Sequence, residues 1–202
     1  MALQLSKEDA RRIFAGIRNK YREVADRAEG HFAYPTGRAG LEALGYPSDI
    51  LQSLPAEVTE SYCGVGNPFA LGELDEGQTL LDIGCGAGVD LIFAAKRVGP
   101  AGKAVGVDLV EEMLDAARKN LRASGVQNAE VLRGSGEALE FEDGTFDAVI
   151  SNGVFNLMPE KETAAFEAFR VLRPGGRLMI ADQVLAAPLE KDLRARIDSW
   201  FQ

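Results

Sequence analysis

Leu80-Leu81-Asp82-Ile83-Gly84-Cys85-Gly86-Ala87-Gly88 is the stretch that decides the fold, because an apolar run meets an acid and then three glycines at alternate positions. A short apolar run closed by a glycine cluster reads as a buried strand passing into a turn. Gly84, Gly86 and Gly88 allow the backbone to turn tightly and to approach a ligand with no Cβ in the way. From Val89 the pattern becomes helical, so the N–H groups of a helix start face the same place. The spacing is G-x-G-x-G and not the G-x-G-x-x-G of dinucleotide sites, and Asp82 and Asp90 put carboxylates on both flanks. A pyrophosphate would be repelled there and a cationic ligand held.

Downstream of this turn, short apolar runs alternate with helical patterns. Strands are predicted at 79–83, 104–108, 129–133, 146–151 and 177–182, and helices near 89–98, 111–124, 161–172 and 189–200. That alternation predicts an α/β fold with a Rossmann-like parallel sheet of about five strands, whose ligands sit beyond the carboxyl ends of the strands where the strand order reverses. Upstream, Ser6-Lys7-Glu8-Asp9 has the form of a capping box, and Ile13, Ile17, Tyr21, Val24 and Ala28 recur at helical spacing. From Gly30 to Pro68 prolines and glycines break the chain into short helices and turns with no strand-like run. We therefore expect one domain over 1–202, with a helical cap and lead-in (1–74) lying against the core (75–202) and adding nothing to its sheet.

A chain of 202 residues is long enough for one domain with a full core. Hydrophobic residues make up 46% and charged residues 26%, which is ordinary globular material. The balance of 22 Lys+Arg against 31 Asp+Glu leaves a net charge of −9, which argues against nucleic acid or anionic membrane as a partner. The sequence becomes charged at Lys7 before an apolar leader can form, and no run approaches the roughly 20 apolar residues of a membrane span. The expected location is the cytoplasm. Cys63 and Cys85 have neither the number nor the spacing for a disulfide framework or a zinc site, so no metal is expected. Cys85 reads as a small packing residue inside the turn.

Further candidates fall at the other strand ends. Asp108 closes the second strand, where a carboxylate can accept both ribose hydroxyls of an adenosine or can cap the next helix. Ser135, Gly136 and Glu137 follow the third strand and could line an adenine edge. Asn152 follows the fourth, in Ser151-Asn152-Gly153-Val154-Phe155-Asn156. Leu172-Arg173-Pro174-Gly175-Gly176-Arg177 reads as a helix stop, a tight turn and a strand start.

Together, D-x-G-x-G-x-G at 82–88, G-V-D-L at 106–109, G-S-G-E-A-L-E-F at 134–141, F-D-A-V-I-S-N at 146–152 and F-R-V-L-R-P-G-G-R-L at 169–178 resemble the class I, Rossmann-like S-adenosylmethionine-dependent methyltransferases. The resemblance covers about residues 75 to 185. It implies S-adenosylmethionine as cofactor and methyl transfer to a nucleophile. The cofactor residues it implies are Asp82, Gly84, Gly86 and Gly88 at the methionine end, Asp108 at the ribose, Leu109 and Met113 beside the adenine, Ser135, Gly136 and Glu137 at its edge, and Asn152 below the methionine. Where the family often has an acid after the glycine of the adenine loop, this chain has Ser135.

Within that class the chain is most similar to the arsenite methyltransferase group, through Gly64-Val65-Gly66-Asn67-Pro68, Gly86-Ala87-Gly88-Val89-Asp90, Ser151 to Leu157 and Ala168 to Leu172. That group's chemistry rests on cysteine thiolates, soft ligands for soft arsenic(III). The cysteines it implies before Gly66 and after Asn152 are here Val65 and Gly153, and Cys63 alone cannot form a three-sulfur site. The fourth strand also ends without the Asn/Asp-Pro-Pro-aromatic run of nucleic-acid amino methylases, so we expect a small-molecule acceptor.

The family usually adds two strands after the fifth, and none is read here before Gln202. Strands six and seven are therefore expected to be absent, leaving the fifth strand as an open edge for a second copy or a further segment to cover. No catalytic residue is nominated. His31, the sole histidine, is either a base facing the acceptor or a surface residue, and with no partner in the sequence the surface reading is preferred. Tyr21, Phe32, Tyr34 and Arg38 either close over the cofactor or pack. The competing readings are a cofactor-binding protein or truncated remnant without turnover, arsenite methylation, and a nicotinamide-dependent oxidoreductase, which Asp82 and the glycine spacing disfavour.

Overall fold

The molecule is described here from a computed structural model, which covers residues 5–184. The helix expected at 189–200 lies outside the described residues. Helix α1 (Lys7–Asp26) starts on the expected capping box: Ser6 Oγ accepts from Asp9 N at 3.1 Å and the Asp9 carboxylate accepts from Ser6 N at 3.0 Å. Its buried stripe is Ile13, Ile17 and Val24. Three short helices follow, α2 (Gly37–Ala43), α3 (Ser48–Ser53) and α4 (Ala56–Glu60), and then a 3-10 turn at Pro68–Leu71. Their Leu41, Leu51 and Val58 join one buried cluster with Leu91 and Phe93 of the core. The cap therefore rests on one face of the sheet and contributes no strand to it.

The core alternates β1 (Thr79–Ile83), α5 (Val89–Val98), β2 (Lys103–Asp108), α6 (Glu111–Ala123), β3 (Ala129–Arg133), β4 (Phe146–Asn152), α7 (Lys161–Val171) and β5 (Leu172–Ala181). All ladders are parallel and the spatial order is β3-β2-β1-β4-β5. The chain runs outward from β1 to β3, returns to the other side of β1, and so places its switch point between β1 and β4. Both faces of β1 are covered, as an unbroken apolar run requires: Leu80 packs with Leu91 and Ile92 on one side, and Leu81 and Ile83 with Phe146 and Val171 on the other. Adjacent residues serve opposite cores because strand side chains alternate.

One boundary differs from its sequence reading by more than a residue. β5 starts at Leu172, which pairs with Phe146, and the ladder resumes at Ala148↔Arg177. The run read as a turn, Arg173-Pro174-Gly175-Gly176, is thus a bulge inside the strand. Pro174 has no N–H to give a ladder, Gly175 takes φ +83°, and the Arg173 guanidinium holds the bulge to Asp147 at 2.7 Å. Among the described residues, no helix is long and apolar enough to cross a membrane.

Candidate functional site

The turn after β1 is built by three positive-φ glycines with three different surroundings. Gly84 (φ +75°) donates to Val107 O at 2.8 Å, and a Cβ there would lie 2.4 Å from Val154 Cγ2. Gly86 (φ +50°) would place a Cβ in open space. Gly88 (φ +80°) caps α5, and its Cβ would meet Ala117 of α6 at 3.0 Å. Gly84 and Gly86 border a cavity of about 100 Å3 beyond the ends of β1, β2 and β4, and Gly88 does not. Cys85 is buried in the core, its side chain filling the space opposite Gly106.

The same cavity is lined by Asp108, Leu109, Ser135, Gly136 and Asn152, so much of the expected constellation converges on one place. Asp108 Oδ2 accepts from Gly86 N and Oδ1 from Val110 N, both at 2.9 Å. Burial raises its pKa, opposed by those backbone bonds. The N-cap of α6 is Val110, so Asp108 stands before the helix and reaches it through the Val110 N–H. Gly136 packs so closely that a Cβ would be 2.5 Å from Met158 Cε. Two expected adenine neighbours lie elsewhere. Met113 is buried against Val24, Ala28 and Ala87 between α1 and α6, and the Glu137 carboxylate accepts from Glu160 N at 2.8 Å at the start of α7.

Asp82 sits behind the turn, 2% exposed, and its Oδ2 has no hydrogen-bond partner. Burial, followed by the charges of Asp90 and Asp108, raises its pKa well above the usual carboxylate range. Asp90, in the first turn of α5, is pushed up to about 6 by burial, against the stabilising bonds of Tyr46 and Asn152. Tyr46 donates to Asp90 Oδ1 at 2.6 Å, and Asn152 Nδ2 to Asp90 Oδ2 at 2.9 Å. Asn152 Oδ1 in turn accepts from Val65 N and Gly66 N. This buried network clamps the cap segment to the end of β4. The tyrosine partners, Tyr46 and Tyr62, were not legible in the sequence, since each stands in a short broken segment with no period.

The cavity is roofed by α1, through Phe14, Ile17 and Tyr21, and Cys63 borders it too. Burial and the nearby Asp108 and Asp90 charges push the Cys63 thiol up to about 12, so it is a poor thiolate. Val65 and Gly153 stand against each other: a Cβ on Gly153 would lie 3.1 Å from Val65 Cγ1. Of the four cap side chains singled out in the sequence, Tyr21, Phe32 and Tyr34 form a chain of rings, with centroids 6.4 and 5.1 Å apart. Arg38 pairs with Glu42 on the surface at 2.9 Å instead. His31 lines a second pocket next to the first, with Lys20 and Asn156. Among the described residues no group of three or more His, Cys, Asp or Glu could hold a metal ion.

A glycine turn flanked by two buried carboxylates, Asp82 and Asp90, and by the half-buried Asp108 at the switch point of this sheet has a counterpart in known proteins. The family described as "Methyltransferase domain" matches residues 74–202. This chain belongs to that methyltransferase domain family. It is 42% identical over 164 residues to an arsenite methyltransferase of Halobacterium salinarum, an alignment that covers 81% of this chain and 42% of that protein. The methyltransferase domain also superposes on the arsenic(III) S-adenosylmethionine methyltransferase of Chlamydomonas reinhardtii with a TM-score of 0.60 at 36% identity, covering 74% of this chain and 50% of that one. A SAM-dependent methyltransferase of Aquifex aeolicus aligns at 27% identity with a TM-score of 0.54, over 77% of this chain and 79% of that one. The chain spans less than half the length of the Halobacterium relative.

S-adenosylmethionine is the cofactor that membership of this family implies, and the residues present fit it. An orphaned, buried carboxylate oxygen on Asp82 and the clustered charges of Asp90 and Asp108 favour a ligand with positive groups. The open space at Gly86 lets such a ligand approach the backbone.

Proposed function

We propose that the protein transfers a methyl group from S-adenosylmethionine to a small organic acceptor. The observation that carries this reading is the buried carboxylate cluster behind the glycine turn, with Asp82 Oδ2 unpaired. When bound, S-adenosylmethionine supplies an electrophilic methyl on a sulfonium. Asp82 and Asp90 stand behind the cavity wall and would act on the cationic end through their charge, and Gly84 and Gly86 would keep side chains out of its way. Asp108 keeps a lone pair on each oxygen, beyond the bonds from Gly86 and Val110, for ribose hydroxyls. Leu109, Ser135 and Gly136 would flank the base. Phe14, Ile17 and Tyr21 of α1 border the same cavity and would lie over the bound cofactor.

An organic acceptor is favoured over arsenite, although two relatives bear the arsenite methyltransferase name. Val65 packs where a thiolate would be needed, Gly153 supplies none, and Cys63 is held protonated. A small-molecule acceptor in the cytoplasm and pairing of a second copy along the outer edge of β5 belong to the same proposal. β5 ends the described sheet, and Leu178 on it is exposed; a protein that stays monomeric by light scattering at high concentration would count against that pairing. Calorimetry tests the cofactor half of the function. S-adenosylhomocysteine is expected to bind and NAD to fail; tight NAD binding with no S-adenosylhomocysteine binding would refute it.

A further inference from the structure

The segment Tyr62-Cys63-Gly64-Val65-Gly66, between α4 and the 3-10 turn, passes across the ends of β4 and β5. A Cβ on Gly64 would lie 2.3 Å from Asn152 Nδ2 and one on Gly66 2.7 Å from Ala181 Cβ, so neither position has room for a side chain. Cys63 of this segment borders the glycine-turn cavity, and so does Asn152. The Asn152 amide nevertheless has nothing left to offer a ligand there. Its Oδ1 accepts from Val65 N at 2.9 Å and from Gly66 N at 3.1 Å, which uses both lone pairs. Its two N–H groups go to the nearest acceptors, Gly66 O at 2.8 Å and Asp90 Oδ2 at 2.9 Å.

The side-chain hydrogens of this knot all run one way. Tyr62 donates to Gly66 O at 2.8 Å and Tyr46 to Asp90 Oδ1 at 2.6 Å, so each donor points either at the carbonyl of the segment or at the Asp90 carboxylate. A proton on Asp90 Oδ2 would face an amide nitrogen that has no lone pair, and one on Oδ1 would turn the Tyr46 hydrogen away, so the knot is complete only around the ionised form. The ionisable groups around Asp90 are Tyr46 and Tyr62 of the cap, Cys63 on the segment, and Asp82 on β1 with Asp108 on β2 beyond it, none of them a cation. Burial holds the Asp90 pKa up at about 6, and a positive ligand beside the glycine turn favours the same ionised form that the knot requires. We propose that Asn152 is a positioning residue and not a cofactor ligand: it fastens the 62–66 segment to the carboxylate that senses the cofactor's charge, so that the wall carrying Cys63 is set when the cofactor is in place. The inference rests on the methyl-transfer reading, which supplies the positive ligand.

Calorimetry with S-adenosylmethionine from pH 8 down to 5, together with amide exchange at Val65 and Gly66, provides the test. A cation prefers the ionised carboxylate, so wild-type affinity should fall as the pH drops through about 6. Asn152→Ala removes one donor to Asp90 and Tyr46→Phe the other, so in each variant the fall should begin higher, by about half a pH unit or more. Asn152→Ala should also speed exchange at Val65 and Gly66 about tenfold. Tyr62→Phe, which removes a donor to Gly66 O and none to Asp90, should leave the midpoint in place. Tyr46→Phe keeps the pH test if Asn152→Ala does not fold. Binding weakened by the same factor at every pH in Asn152→Ala would make Asn152 a direct ligand and overturn the inference, as would a midpoint unmoved in both donor variants. Wild-type affinity that does not change with pH would overturn it and leave the proposed function standing. A wild type that binds neither S-adenosylmethionine nor S-adenosylhomocysteine would remove both.

Discussion

Replacing Gly86 by alanine separates the ligand seat from the fold. At Gly86 the backbone has φ +50° and a Cβ would meet nothing within 4 Å, so the cost is left-handed strain alone, about 1 kcal/mol. Gly84→Ala suffers that strain and also drives a methyl to 2.4 and 2.5 Å from the Val154 methyls, which adds about 2 kcal/mol of overpacking. For a domain of this size 1 kcal/mol moves the melting temperature by about 2–4 °C, so the expected losses are about 3 °C for Gly86→Ala and about 9 °C for Gly84→Ala. S-adenosylhomocysteine at about a hundred times its Kd stabilises the wild type by about 2.7 kcal/mol, which is about 8 °C on the same scale. Gly86→Ala is expected to lose that ligand shift and at least tenfold in affinity, because its new methyl projects into the cavity. The assays are thermal melting with and without ligand, and calorimetry. A Gly86→Ala protein that melts about 3 °C low yet keeps the full shift and affinity would refute the placement of the ligand against this turn.

Asp82→Asn removes a buried charge whose pKa is raised, so the charged form costs the ligand-free protein stability. The contribution of a raised carboxylate is full below its ordinary pKa near 3.8 and is lost as pH rises through the higher folded value. The ligand-free variant should therefore gain on the wild type as pH rises from 4 to 8 while binding S-adenosylhomocysteine less well; a difference in melting temperature flat with pH contradicts this. Tyr46→Phe leaves Asp90 Oδ1 without its 2.6 Å partner and should cost about 1–3 kcal/mol in urea unfolding, with no loss counting against the buried network as a clamp. Filling the cavity should change amide exchange over 13–21 of α1, which borders it, and leave that of buried β1 unchanged; protection of α1 equal with and without ligand would rule out ligand contact with that helix.

The sheet was legible because its strands are unbroken apolar runs bounded by glycine or charge, and β1, β3, α5 and the start of α1 lie at their sequence-read positions. β5 was misjudged at its start because Pro174-Gly175-Gly176 has turn chemistry whether it joins two elements or bulges from one. At the site, Gly84, Gly86 and Asp108 could be read because a strand end fixes where their atoms go. Met113 and Glu137 could not, since their places depend on how α6 packs on α1 and on where the Glu160 N–H falls. The cap is the least readable part. Tyr46 and Tyr62 acquire their roles only by packing against residues far along the chain.

The central claim is methyl transfer to an organic acceptor, and it is met most directly by incubating the protein with S-adenosylmethionine labelled on its methyl and following the label by mass spectrometry. The acceptors supplied are a panel of small phenols, amines and thiols and, separately, arsenite with thiol. The account predicts label in an organic product, with an equal amount of S-adenosylhomocysteine formed and none on arsenic. Label on arsenic alone, or a cofactor that binds and is never turned over with any acceptor supplied, would contradict it.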